Sequence, residues 1–406
     1  MFTYLLLITG ISMYVILYAM TRDKLNPQGI FLLLWYLSAS LASAPSFYNL
    51  DLQEVWSNEM MLVVYLSGIA FFIPSILLAK RVRDVTKNKI NFTNFYAIVF
   101  NSFMILSIIA FLFHFSKNGF AITMFSGEFD LKNSKPEIIK GLNYFELLIP
   151  YLSIVAFFEL NFSNSLTKIR KNILLIYIFF ALIIYSLLFN VSRGSLLVFF
   201  LAVLYFYNRK YTFTWMKIST VLLGLLIAIG SFSFIRLDES SMVLSSYGEG
   251  KVAMLFSSIY TYIAYNYENL YQLIRADIPM SGGWYSWKFL LKPYFYDAYE
   301  SNSLNLQEFD TLFFNARTYL YPFYHDLHFF GILIYPFLLG ILISLLVRLS
   351  NQQPIYLLLL MSLQKAIMFI SFGNYFFGEL VIFFPYIIII LIIYSTKIVI
   401  KGKSKI

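Results

Sequence analysis

Cysteine is absent from the 406-residue chain. That excludes a disulfide framework, a thiol nucleophile and a thiolate metal site. Histidine is scarce, with only His114, His325 and His328. A zinc site would need ligands from elsewhere, so no metal is expected. Charged residues make up 13% of the chain, about half the share of a soluble domain. There is no Gly-rich loop leading into Lys-Ser/Thr and no dinucleotide-binding turn, so no nucleotide cofactor is expected. No internal repeat is visible, which leaves a transporter built from two related halves unsupported. The first apolar run has neither a basic start nor a small-residue cleavage site, and reads as a span, not a signal peptide.

What is present is apolar: 60% of residues are hydrophobic, and they fall in long runs. A bilayer core needs roughly 20 apolar residues per helix. The runs predict an all-α, polytopic integral membrane protein of about eleven transmembrane helices. Expected spans are Phe2–Met20, Ile30–Phe47, Met60–Ala79, Phe95–Phe115, Tyr144–Leu160 and Ile173–Asn190. They continue with Ser195–Tyr207, which is short and should extend into its flanks, then Trp215–Ile235, Phe329–Val347, Pro354–Ile370 and Leu380–Ile400. Residues 1–406 thus form one transmembrane domain, with a large loop, 236–328, inserted between spans eight and nine.

Orientation follows from the basic residues. With the N-terminus outside, the inner segments hold 18 of the 30 Lys and Arg, including Arg22, Lys24, Lys80, Arg81, Lys168, Arg170 and the Lys-rich C-terminus. The net charge of +9 is therefore read as cytoplasmic anchoring charge, not nucleic-acid binding. Within the 236–328 loop, Val252–Ile274 is apolar but interrupted by Ser257, Ser258, Thr261, Asn266, Glu268 and Asn269. A twelfth crossing there would put the C-terminus outside. The segment is expected to be an amphipathic or re-entrant helix on the outer face. Trp284–Tyr299 reads as an aromatic interfacial segment, and Ser116–Asn143 as a second, smaller outer loop.

Several polar residues sit where polarity is costly. Arg193, in Asn190-Val191-Ser192-Arg193-Gly194-Ser195-Leu196-Leu197, joins two apolar runs with almost no loop. It is either a phosphate-binding guanidinium at the outer face or an arginine snorkelling from a helix end. Arg236 enters the large loop ahead of Asp238 and Glu239: a second phosphate ligand, an acidic pair for a metal, or an interfacial charge cluster. Arg275 and Arg317 follow in that loop and either line a cavity or stay solvated. The longest motif runs from Asn315 through Arg317, Tyr321, His325, Asp326 and His328 to Gly331 and into Tyr335-Pro336 and Gly340. Imidazole titrates near neutrality, so His325 beside Asp326 is a candidate base or an interfacial pair without chemistry. Lys365, with Gln364, lies within the tenth span and needs a partner: a structural pair between helices, or an ion relay.

The Ser192-Arg193-Gly194-Ser195-Leu196-Leu197 turn, the large aromatic outer loop and the Tyr324-His325-Asp326 segment leading into Gly331 and Gly340 together resemble the bacterial O-antigen and capsular repeat-unit polymerases (Wzy type). The likeness in topology spans nearly the whole chain. It implies a metal-independent glycosyltransferase on the outer face of the bacterial plasma membrane. The implied partners are an undecaprenyl-pyrophosphate-linked glycan donor, a lipid-linked repeat-unit acceptor and the bilayer, with room for a chain-length regulator and no nucleic acid. It also implies roles: Arg193, Arg236, Arg317 and Arg275 bind pyrophosphate, His325 is the base and Asp326 orients it. O-antigen ligases also place a histidine before a Gly-containing helix. A flippase for lipid-linked oligosaccharide is the reading from another class, but it should carry charge through its central spans, where here Lys365 is nearly alone. The wider lipid-sugar transferase class often has an acidic residue after the first span; here Asp23 is expected on the cytoplasmic side, and Asp51, Glu54 and Glu59 lie outside in no familiar arrangement.

Overall fold

The computed structural model describes residues 2–44, 54–82, 89–118, 141–189, 193–211, 213–220, 224, 251–276, 278–287, 295, 317–371, 373–376 and 380–397, without the side chains of 193, 251–259, 261, 262, 381 and 397. Their regular elements are all helices, with one isolated parallel bridge, Ile90 to Ser163. The helices are α1 (Phe2–Thr21), α2 (Pro27–Ala42), α3 (Asn58–Leu77), α4 (Asn94–Asn118), α5 (Leu142–Glu146) and α6 (Ile149–Phe162). They continue with α7 (Lys168–Phe179), which passes into a π-helical stretch (Phe180–Phe189), α8 (Arg193–Tyr211), α9 (Lys251–Arg275), α10 (Tyr321–Ser350), α11 (Ile355–Met368) and α12 (Leu380–Lys397).

Six described segments are long and apolar enough to cross a membrane: Phe2–Thr21, Asn58–Leu77, Asn94–Lys117, Leu142–Phe162, Lys168–Phe189 and Tyr321–Ser350. Pro27–Ala42, Ile355–Met368 and Ile382–Thr396 are apolar but shorter. Their outward faces are apolar as well. Leu5, Ile8, Ile11, Val15 and Ile16 are exposed on α1, and Ile98, Ile105, Leu112 and Phe113 on α4. Contiguous exposed apolar surface on this scale is foreign to a water-soluble monomer and is what lipid-facing helices require. The expected fifth span is broken into α5 and α6, with Pro150 opening α6. The eighth span beyond residue 220, most of the Ser116–Asn143 and Trp284–Tyr299 segments, and the C-terminal lysines beyond 397 lie outside the described residues.

The chain divides into two compact units. The first comprises Met1–Val82, Thr212–Arg348 and Ala366–Leu380. Its helix starts are set by local chemistry. Asn26 accepts from the Gly29 amide at 2.9 Å just before Pro27, and Ser57 accepts from Met60 at 3.3 Å, so each side chain satisfies one orphan donor. Small residues then allow close approach, as packing in lipid favours. A Cβ on Gly10 would lie 2.6 Å from Tyr36 Cβ, and one on Gly340 in α10 would lie 2.6 Å from the Phe71 carbonyl of α3. The interior is aromatic: Phe31 stacks on Phe71 at 3.9 Å, and Trp35 meets Tyr267 at 5.1 Å and Tyr319 at 4.9 Å. Helix α9 packs against α2 and α3, and Ala264 through Tyr271 are buried without a break. Its polar residues must therefore find partners inside protein. Tyr267 does so, donating to the Trp35 carbonyl at 3.0 Å and meeting Ser38 and Ser371.

The second unit comprises Arg83–Tyr211, Leu349–Lys365 and Val381–Ile406. Phe111, Ile149, Ala181, Tyr185 and Phe189 form its core cluster. Two polar constellations interrupt the apolar packing, so the spans are less bare than the sequence suggests. Arg170 grips Glu159 with both fork nitrogens, each at 2.8 Å, and reaches Asn101 at 2.6 Å; Tyr96 donates to the same carboxylate at 2.9 Å. His114 Nδ1 pairs with Glu146, and both are buried.

Candidate functional site

Helix α10 is broken about two turns from its start. His328 adopts φ 46°, ψ −127°, a backbone conformation that a bulky L-residue reaches only under strain. Its surroundings hold it there. Nε2 bonds the Ile278 carbonyl at 2.8 Å, and the ring stacks on Tyr324 at 5.1 Å. Gly331 is what allows the head to fold back, because any Cβ there would overlap the Phe323 carbonyl.

The kink falls between the carbonyls of His325 and Asp326 and the amides one turn on. Both carbonyls accept from a turn elsewhere in the chain: Ser281 N donates to His325 O at 3.1 Å, and Gly282 N to Asp326 O at 3.0 Å. That turn needs the dipeptide Gly282-Gly283, with φ of 68° and 99°, which glycine adopts without a side-chain penalty. Trp287 pins its far end, donating to the Tyr335 hydroxyl at 3.1 Å.

Four of the residues expected to act are described here with their side chains. His325 is 2% exposed, and neither ring nitrogen has a hydrogen-bond partner among the described residues. Its ring meets Tyr285 edge-on at 5.5 Å. Arg317 donates to the Tyr285 hydroxyl at 2.5 Å and lies over the Tyr321 ring at 4.6 Å. His325 and Arg317 thus share one tyrosine. Asp326 does not orient the imidazole as expected. Its carboxylate accepts from Ser281 Oγ, from Tyr285 N at 2.9 Å and from Ser286 N at 2.7 Å. The reason is helical geometry: neighbouring positions do not face each other. Arg275 ends α9 in an exposed ion pair with Glu54, and no described contact joins it to His325. The Arg193 side chain and Arg236 lie outside the described residues.

Sequence reasoning missed Tyr285 and the Ser281–Trp287 turn, although Ser281-Gly282-Gly283 is a turn signal. It also missed a second cluster at α9. Glu268, 1% exposed, accepts from Gln272 Nε2 at 2.8 Å and from the Glu54 amide at 3.5 Å. Burial raises its carboxyl from the usual 4.5 to about 7; the bonds from Gln272 and the Glu54 amide oppose that rise, and the Glu54 carboxylate adds to it. The His325 imidazole, unbonded at both nitrogens among the described residues, has a guanidinium nearby, an arrangement able to accept a proton beside a group that stabilises an oxyanion. Among the described residues no three His, Asp or Glu side chains gather as metal ligands. No protein-family model, no curated protein and no solved structure matches the chain.

Proposed function

We propose that this chain is an outer-face membrane glycosyltransferase that polymerises undecaprenyl-pyrophosphate-linked oligosaccharide repeat units into O-antigen or capsular polysaccharide. In this reading it crosses the bacterial plasma membrane about eleven times, with the N-terminus outside and the C-terminus cytoplasmic. One observation carries the proposal: His325 is buried with neither ring nitrogen bonded among the described residues, and Tyr285 links it to the Arg317 guanidinium. An orphan buried polar group is costly, and a substrate that bonds to it offsets that cost.

In the proposed reaction His325 takes the proton from a hydroxyl of the lipid-linked acceptor unit. The hydroxyl oxygen forms a bond to the anomeric carbon of the donor glycan. The bond from that carbon to the pyrophosphate oxygen breaks, and its electron pair leaves with undecaprenyl pyrophosphate. Arg317 stabilises the charge developing on that leaving group. The donor is already activated, so no nucleotide is needed on the outer face.

The test is the size ladder of surface polysaccharide. The gene is deleted and complemented with wild type, His325→Ala or Arg317→Ala at matched expression. The expected result is a ladder from wild type and only single repeat units from the deletion and from His325→Ala. Arg317→Ala should shorten the ladder, with a rate loss of about 100-fold or more for one missing oxyanion donor. An intact ladder after deletion would refute polymerisation, and loss of even the single unit from the surface would favour a flippase or a ligase.

A further inference from the structure

We infer that Asp326 is a positioning residue that acts through Tyr285: it clamps the Ser281–Trp287 turn onto the broken head of α10, and the clamped turn sets Arg317 beside His325. The inference rests on the roles proposed above for His325 and Arg317.

Three donors converge on the Asp326 carboxylate, and all three belong to that turn. One oxygen accepts from Ser281 Oγ and Tyr285 N, the other from Ser286 N. Hydrogen bonds to an ionised carboxylate are the stronger kind. Asp326 is fully buried, so water does not compete for its oxygens. The backbone repeats the attachment, from Ser281 N to His325 O and from Gly282 N to Asp326 O. The two amides received by the carboxylate side chain bracket Tyr285. They fix its backbone, and therefore the direction in which its ring leaves the turn.

That direction has two consequences. The ring edge meets His325 at 5.5 Å, and the hydroxyl accepts from Arg317 Nη1 at 2.5 Å. Arg317 lies just before α10, and its guanidinium also lies over the face of Tyr321 at 4.6 Å. Tyr285 supplies the second fixed point. The chain from Asp326 to Arg317 therefore runs through the turn, not through the imidazole, whose nitrogens receive nothing from Asp326.

Full-length protein in lipid nanodiscs separates the two routes. Amide hydrogen exchange at Tyr285 and Ser286 is measured in wild type, Asp326→Asn, Tyr285→Phe and His325→Ala. Asp326→Asn, which keeps the volume but loses an acceptor facing the turn, should speed exchange at both amides about tenfold or more. His325→Ala should leave them protected. In parallel, polymer synthesis from lipid-linked repeat units gives kcat against pH. Asp326→Asn and Tyr285→Phe should each lower kcat, by up to about 100-fold as for a misplaced group, without moving the acid limb. Unchanged exchange in Asp326→Asn would overturn the clamp. An acid limb displaced to lower pH in Asp326→Asn but not in Tyr285→Phe would overturn it too, because Asp326 would then be acting on His325 itself. If His325→Ala polymerises normally, the functional reading fails while the exchange data still judge the clamp.

Discussion

Glu268 offers a sharp test of the packing around α9, because burial gives it a pH signature. The carboxyl is 1% exposed and titrates near pH 7 in place of 4.5. Between those values the folded chain holds a proton there that the unfolded chain releases. Stability from this group is thus complete below about pH 4.5, falls as pH rises and levels off above about 7. The gap between the two titrations corresponds to about 3 kcal/mol. Much of that will be visible, since the group is buried and its nearest cation, Arg275, is engaged with Glu54 at the surface. The substitution Glu268→Gln keeps the shape and the acceptor for Gln272 but cannot ionise. Thermal unfolding of both proteins in nanodiscs, from pH 5 to pH 8, isolates the term as a difference. Wild type should lose stability relative to the variant as pH rises, with most of the change between pH 5.5 and 7.5. Parallel curves would show that Glu268 is hydrated and α9 is not packed as described; a difference of opposite sign would show a carboxylate stabilised in its charged form.

Two further substitutions probe the packing. Gly331→Ala would force a methyl group into the Phe323 carbonyl and should cost about 1–3 kcal/mol or more by overpacking; lower thermal stability together with faster exchange in the Ser281–Trp287 turn would bear this out, and a silent substitution would refute the folded-back head. Arg170→Ala would leave Glu159 buried at 4% exposure without its cation, a loss of about 3 kcal/mol or more, and the double variant Arg170→Met with Glu159→Gln should recover most of it in the same unfolding assay.

What the sequence discloses depends on how far apart the deciding residues lie. Spans such as α1 and α3 are legible to within two residues, because a long apolar run is its own signal. The fifth span is interrupted between α5 and α6 at Leu147 and Leu148, two apolar residues that carry no turn signal of their own. His325 and Arg317 are eight positions apart on one motif, so their meeting is within reach of sequence reasoning. Tyr285, which joins them, is 40 positions from His325, and nothing local announces the pairing. Asp326 is misread for the opposite reason: adjacency in sequence suggests a dyad, whereas a helix turns neighbouring side chains apart. Glu268 and Glu54 lie 214 positions apart, so only the packing of α9 reveals their encounter.

Two costs coincide at the head of α10, and their coincidence is the argument for a site there. A strained backbone at His328 carries a cost on the order of 1–3 kcal/mol. An imidazole buried without partners three residues earlier adds a further cost on the order of 1–3 kcal/mol. Neither is what packing alone would select. Elsewhere in the same unit some buried polar groups bond one another, as Tyr267 of α9 does with Ser38 and Ser371. Ser281 Oγ and the amides of Tyr285 and Ser286 all turn to the Asp326 carboxylate, and none of the three reaches the His325 ring. Among the described residues one side chain is satisfied three times over while its neighbour's ring has no hydrogen bond, which supports the substrate contact proposed for His325. Glycine at 282, 283 and 331 makes the arrangement sterically accessible, so the local sequence concedes backbone stability where the proposed base lies.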